Sequence, residues 1–98
     1  MYIQYMKVVW DEIKNRKNMQ KHGIDFKDVS EMFSLPMLTS IDSRQDYGEE
    51  RWVGIGFLKG IIAVIDFTEN ETENQIRLIS ARKATKYESQ RFKKAIGN

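Results

Sequence analysis

Residues 51–83 read RWVGIGFLKGIIAVIDFTENETENQIRLISARK, and this stretch decides the architecture. Arg51 to Leu58 and Ile61 to Glu69 are β-branched and aromatic runs on either side of Lys59-Gly60, a two-residue hairpin signal. A polar turn, Asn70 to Asn74, then leads into a third run, Gln75 to Lys83. Three antiparallel strands in a meander are the simplest outcome. Strand alternation puts Arg77 on one face with Ile79 and Ala81, and Arg82 with Ser80 on the other, unless a bulge re-aims Arg82.

Upstream, Tyr5 to Trp10 is a short strand pattern that stops at Asp11, a good N-cap for a helix over Glu12 to His22. Lys17, Lys21 and His22 near its end and Gly23 beyond it suit the helix dipole and a left-handed cap. Only Ile13 and Met19 are apolar in this helix, so it lacks an apolar stripe and either faces solvent or meets a polar partner. Ile24, Asp25 and Val29 announce a second helix with Phe26, Val29, Met32 and Phe33 on its inner face, ended by Leu35-Pro36. A short edge strand at Met37 to Ile41 and a polar loop to Glu50 follow. Thr85-Lys86-Tyr87-Glu88 is a capping-box pattern, predicting a last helix from Lys86 to Ile96 with Phe92, Ala95 and Ile96 inward. The expected fold class is α+β, in the order β-α-α-β-β-β-α. The 98 residues suit one domain, 1–98, with 41% apolar content for its core.

Charge is distributed unevenly. From Ile76 onward there are seven basic residues and one acid, Glu88, a formal +6; residues 1–75 hold nine basic and 13 acidic groups, a formal −4. The net +2 therefore conceals a positive end that would attract a polyanion. The same residues also suit a solvated helix face. With no cysteine and one histidine, thiol chemistry is excluded, a transition-metal site is not expected, and a cytoplasmic location fits. Asp42, Asp46, Glu49 and Glu50 read as a solvated loop rather than a hard-cation site, and no cofactor is expected. Gly54-Ile55-Gly56 lies inside a strand pattern and lacks the later glycine and helix start of a nucleotide loop. The first seven residues lack a signal-peptide pattern, and the longest apolar run, Ile61 to Ile65, is too short to span a bilayer.

Three blocks of residues in order and spacing resemble BrnT-type toxins. They are Trp10-Asp11-Glu12, Lys14, Asn18, Lys21-His22-Gly23-Ile24 and Phe26; Asp46-Tyr47-Gly48-Glu49 with Arg51; and Thr68-Glu69, Arg77 and Ile79-Ser80-Ala81-Arg82-Lys83-Ala84. The resemblance spans roughly Val8 to Phe92. It implies a RelE-like fold, a ribonuclease toxin of a type II toxin–antitoxin pair that inhibits translation and growth, and neutralisation by a BrnA-type ribbon-helix-helix antitoxin that carries the DNA contact. Where that family usually reads Tyr-Thr-Glu-Arg, this chain has Phe67-Thr68-Glu69-Asn70. An aromatic hydroxyl and a guanidinium are therefore missing, which motivates an alternative: a catalytically inactive RNA- or antitoxin-binding member of the same fold. A direct DNA-binding regulator ranks last, for want of a recognition helix.

Metal-independent RNA cleavage needs a base for the 2′-hydroxyl, a positive field for the phosphorane-like transition state and a proton for the departing oxygen. One histidine rules out a two-histidine mechanism in a monomer. Arg77 is expected to clamp phosphate, with a structural ion pair as the alternative, and Arg82 suits phosphate or carboxylate equally. Glu69 is the candidate base, or else the partner of Arg77. His22 is either a proton shuttle or a helix cap. Arg51, Lys83, Lys86, Arg91, Lys14 and Lys21 are candidate RNA contacts, with Arg51 alternatively bridged to Glu49 or Glu50 across the sheet and the lysines alternatively solvated. Trp10, Trp52, Phe26 and Phe33 read as core, whereas Tyr47 and Tyr87 can stack on a base.

Overall fold

The computed structural model describes residues 7–70 and 72–97. It contains β1 (Lys7–Val9), α1 (Glu12–His22), α2 (Phe26–Val29) continued by a 3₁₀ turn (Ser30–Ser34), β2 (Met37–Ile41), β3 (Trp52–Leu58), β4 (Ile61–Asn70), β5 (Gln75–Lys83) and α3 (Lys86–Ala95). The fold is α+β. Its sheet has five strands in the order β1-β5-β4-β3-β2.

The meander forms as expected, but the order is corrected to β-α-α-β-β-β-β-α: the short edge strand expected at Met37 to Ile41 is a full member of the sheet, so four strands follow the helices. β3, β4 and β5 pair antiparallel, and β2 adds to β3. β1 joins β5 in parallel, making the sheet mixed. The expected first strand began at Tyr5, which lies outside the described residues; its described part is Lys7–Val9. Lys59 (φ 44°) and Gly60 (φ 84°) both take left-handed backbone at the β3–β4 turn, the conformation a tight right-twisting hairpin demands. The expected second helix is only one α-helical turn before it tightens into 3₁₀ geometry and stops at Leu35.

Local capping signals hold. The Asp11 side chain accepts from the backbone N–H groups of Ile13 and Lys14, and Gly23 (φ 72°) closes α1. Thr85 and Glu88 form the reciprocal capping box of α3. The inward assignment for α3 needs correction at its end: Phe92 is fully buried, but Ala95 is exposed and Ile96 is 40% exposed beyond the helix. With only a partial apolar stripe, α3 covers just one end of its face of the sheet.

The core splits across the sheet. On one face, Ile24, Phe26, Val29 and Met32 pack on Leu58, Ala63, Ile65, Phe67, Ile76, Leu78 and Ala81. On the other, Phe92 of α3 packs on Ile55 and Val64, with the Phe57 ring edge-on at 5.0 Å. The polar helix α1 is held by hydrogen bonds instead of an apolar stripe. Asn15 is buried, donating to Asp25 Oδ1 at 3.0 Å and accepting from the Phe26 backbone N–H at 2.9 Å. Asn18, also buried, donates to the Ile24 carbonyl at 3.1 Å and accepts from the Ala81 backbone N–H at 3.1 Å. Helix α1 is thus pinned to β5, while Ile13 remains exposed.

Candidate functional site

A bulge in β5 decides what shares a surface. Phe67 pairs with Leu78, but the next residue of β4, Asp66, pairs with Ser80, so Ile79 is an extra residue in the ladder. Burial shows the consequence: Ile76 and Leu78 are buried, Ile79 and Ser80 are both partly exposed, and Ala81 is buried again. Simple alternation is thereby broken. Arg77 does not share a face with Ala81, which belongs to the core with Ile76 and Leu78. Arg77 and Arg82 lie together on the α3 side of the sheet, in the part that α3 leaves open.

Each arginine borders its own depression. One, of about 280 Å³, is lined by Ile41, Asp42, Ser43, Arg44, Val53, Val64, Asp66, Ser80, Arg82 and Glu88. The other, of about 450 Å³, is bordered by Glu49, Thr68, Glu69, Asn70, Glu73, Gln75 and Arg77.

Each arginine on this surface faces a carboxylate. Arg77 Nη2 donates to both carboxylate oxygens of Glu49 at 2.8 and 2.9 Å, and this pair holds the Glu49 carboxyl below the usual carboxylate range. Arg82 donates through Nη1 and Nη2 to the two oxygens of Glu88, both at 2.8 Å, and Glu88 is strongly depressed by that guanidinium. Arg44 is shared: its Nη2 reaches Asp42 Oδ2 at 2.7 Å and Asp66 Oδ2 at 2.9 Å. Arg51 stacks over the Tyr47 ring at 3.9 Å with its Nε 3.6 Å from Glu49, so the expected bridge to Glu49 is present as a long contact. The pairs of Arg77 and Arg82 sit at the surface, with both guanidinium side chains about 40% exposed. Surface ion pairs are worth only about 0 to 1 kcal/mol, so an incoming phosphate can exchange with the carboxylate.

Other expected residues lie elsewhere. Glu69 pairs with Ile76, one step beyond the Thr68–Arg77 pair, so alternation assigns it to the opposite face although it borders the Arg77 depression. His22 ends α1, and no described hydrogen bond or ion pair links it to Arg77 or Arg82. Lys14 and Lys21 are exposed along the same helix, which is pinned to the edge of β5. Lys83, Lys86 and Arg91 are exposed at the end of β5 and along α3, flanking the open surface. Arg91 lies 5.9 Å from the Tyr87 ring, and Tyr87 is 68% exposed.

Phe67 is 2% exposed in the core beneath the first helices, edge-on to Phe33 at 5.1 Å. Its missing hydroxyl therefore removes nothing from the Arg77 face. Asn70, by contrast, borders the Arg77 depression, and its Oδ1 accepts from the Glu73 backbone N–H at 3.2 Å. Glu71, in the polar turn Asn70 to Asn74, lies outside the described residues.

Sequence reasoning missed the centre of the smaller depression. Asp66 is 7% exposed, opposite Ser80 and beside Asp42, whose side chain is 1% exposed. Asp42 takes two side-chain bonds and one backbone bond from Arg44 and one from the Tyr47 hydroxyl, and is held far below the carboxylate range. Burial and the adjacent Asp42 push Asp66 the other way, up to about 6. The available signal was an aspartate inside the apolar run Ile61 to Phe67, where a strand pattern has no inexpensive place for a charge.

Over residues 10–88 the chain matches a family described as the ribonuclease toxin, BrnT, of type II toxin–antitoxin systems. The chain belongs to the BrnT family. The crystal structure of the Brucella abortus ribonuclease toxin, BrnT, is similar at a TM-score of 0.62 and 31% sequence identity, covering 83% of this chain and 99% of that one. No curated protein matches the chain. The BrnT match includes α1, the bulged β5 and the first turn of α3, and so every arginine and carboxylate of the open surface. Among the described residues, no helix is long and apolar enough to cross a membrane.

Proposed function

We propose that this BrnT-family member is an endoribonuclease toxin that cleaves RNA without a metal ion and so inhibits translation and growth. The observation that carries the reading is the β5 bulge, which brings Arg77 and Arg82 onto one open face beside Arg44. RNA would lie across that face, with Lys83, Lys86 and Arg91 supplying phosphate contacts from its flank. Arg82 and Arg77 would exchange their carboxylates for phosphate oxygens and stabilise the charge that develops at phosphorus. The whole chain, 1–98, acts as a single toxin domain in the cytoplasm.

The expected partner is a BrnA-type ribbon-helix-helix antitoxin, with DNA contacted only through it. Membership of a type II toxin–antitoxin family supports an antitoxin; its kind is our inference. Purified, antitoxin-free protein is expected to cut RNA in the presence of a chelator, and Arg77→Ala is expected to abolish growth inhibition. Full toxicity in that variant would remove Arg77 from the reading, and intact RNA after prolonged incubation with folded protein would remove cleavage.

A second reading is a catalytically silent module that keeps the antitoxin surface. It is favoured by the acidic border of the Arg77 depression, where Glu49, Glu69 and Glu73 surround one arginine and Asn70 replaces the family's usual arginine. Intact RNA together with tight antitoxin binding would support it.

A further inference from the structure

We infer that Asp66 is the group that takes the proton from the attacking ribose 2′-hydroxyl, using the pocket it shares with Asp42, Arg44, Ser80 and Arg82. The inference rests on the ribonuclease reading above and replaces Glu69 in the role of base.

Asp66 lies in the middle of β4, on the face that carries Arg77 and Arg82, and its side chain is 10% exposed at the floor of the smaller depression. Val53 and Val64 form the apolar part of that floor, so a ribose seated there would displace water from around the carboxylate. The other proton acceptors are occupied or misplaced. Glu88 keeps its bond to the Thr85 backbone N–H at the start of α3 even when Arg82 turns to phosphate, so it stays committed to the helix cap. Asp42 is saturated by Arg44 and Tyr47. Glu69 is paired on the Ile76 side of β4, and His22 ends a helix pinned to the edge of β5.

Partner accounting explains why Asp66 is suited to the role. Arg44 is bonded to both buried aspartates, and it spends two of its three side-chain bonds on Asp42. Asp66 receives one from Arg44. Burial, a hydrogen bond that the protonated Asp66 makes to Asp42, and the Asp42 charge oppose its ionisation; Arg44 and, at longer range, Arg51 favour it without prevailing, so its carboxyl lies near 6, where a base is both available and strong enough to work. The remaining charged groups of the pocket, Arg82 and Glu88, neutralise one another in their own bidentate pair.

The 2′-hydroxyl proton passes to an Oδ of Asp66 as the 2′-oxygen forms its bond to phosphorus. The bond from phosphorus to the 5′-oxygen breaks, that oxygen takes a proton from water, and a 2′,3′-cyclic phosphate and a free 5′-hydroxyl result. Asp66 then returns its proton to solvent.

The experiment is single-turnover cleavage of a short RNA by the full-length, antitoxin-free protein from pH 4.5 to 8, with RNA affinity measured alongside. The wild-type rate is expected to rise with pH and level off above a midpoint near 6. Asp66→Asn keeps the size of the side chain; it is expected to cleave at least about 100-fold more slowly at pH 7, bind RNA within about threefold of wild type, and lose the acid limb of the profile. A variant that cleaves at close to the wild-type rate, or that loses affinity in step with rate, overturns the assignment. Should Asp66→Asn fail to fold, carboxyl ¹³C titration of the wild-type protein decides: the ionisation of Asp66 must coincide with the kinetic midpoint, and a mismatch overturns the assignment. A wild-type protein that folds, binds RNA and never cuts it would instead remove the ribonuclease reading, and this inference with it.

Discussion

The Arg82 guanidinium and the Glu88 carboxylate meet fork to fork, two hydrogen bonds of 2.8 Å each, and the same carboxylate accepts the Thr85 backbone N–H that opens α3. One acidic side chain therefore caps the last helix and orients an arginine of the open face. Glu88 is the one acid in the positively charged end of the chain.

Replacing Glu88 by alanine should cost about 1 kcal/mol or somewhat more, because half of the capping box and a bidentate pair are lost together. The Glu88 carboxyl is depressed in the folded protein, so its contribution is present above the ordinary carboxylate range and disappears as pH falls through its folded value. Urea unfolding of wild type and Glu88→Ala should therefore differ at pH 7 and converge in strong acid. Equal stability at pH 7 would show that the pair contributes nothing.

Asp66 predicts the opposite slope. Its carboxyl is raised when folded, so the folded state holds its proton more tightly than the unfolded chain and stability from this group declines as pH rises from about 4 to above 6. Asp66→Asn has no such ionisation. Its stability relative to wild type should improve between pH 5 and pH 7.5, as measured by denaturant midpoints; a constant difference would contradict the raised value.

Removing the Asn18 amide should be expensive. Asn18→Ala leaves the Ala81 N–H and the Ile24 carbonyl without their partner in a buried setting, a loss of about 2 to 4 kcal/mol in chemical denaturation. An effect under about 0.5 kcal/mol would mean that α1 is held by something else.

At Gly54 the limit is space. A Cβ there would overlap the Met37 sulfur and approach the Phe67 ring at 3.3 Å, between β2 and the core. Met37 is flexible enough to move its sulfur, so Gly54→Ala should cost no more than about 1 kcal/mol, whereas Gly54→Val, which also presses on the Phe67 ring, should cost about 1 to 3 kcal/mol. Thermal unfolding of the two variants checks the order.

Arg91, exposed on α3, should act as a plain phosphate contact. Arg91→Ala should weaken RNA binding evenly across sequences and reduce the slope of log affinity against log salt by about 0.7, the share of one contact to single-stranded RNA. An unchanged slope would take α3 off the RNA path.

What could be read from the chain was what neighbours in sequence decide. Asp11, Gly23, Asp25 and the Thr85–Glu88 box announced helix ends because a cap is satisfied within four residues. Lys59-Gly60 announced the hairpin for the same reason. The face of Arg82 was beyond such reasoning: Ile79 is an ordinary strand residue, and only its pairing against β4 makes it the extra one. The docking of α1 was also hidden, since Asn15 and Asn18 look polar and free until their distant partners, Phe26 and Ala81, are in place. The pairing of Arg77 with a carboxylate likewise depends on the loop that brings Glu49 to it, 28 residues away in sequence.

The bond from Ala81 to Asn18 has a further effect at the scale of whole molecules. Past Val9, β1 no longer accompanies β5, and a bare rung there would invite a strand from another chain. By taking the Ala81 N–H, Asn18 closes that foothold with a side chain of the same molecule. A toxin stripped of its antitoxin is thereby protected, at this rung, against sticking to its own copies.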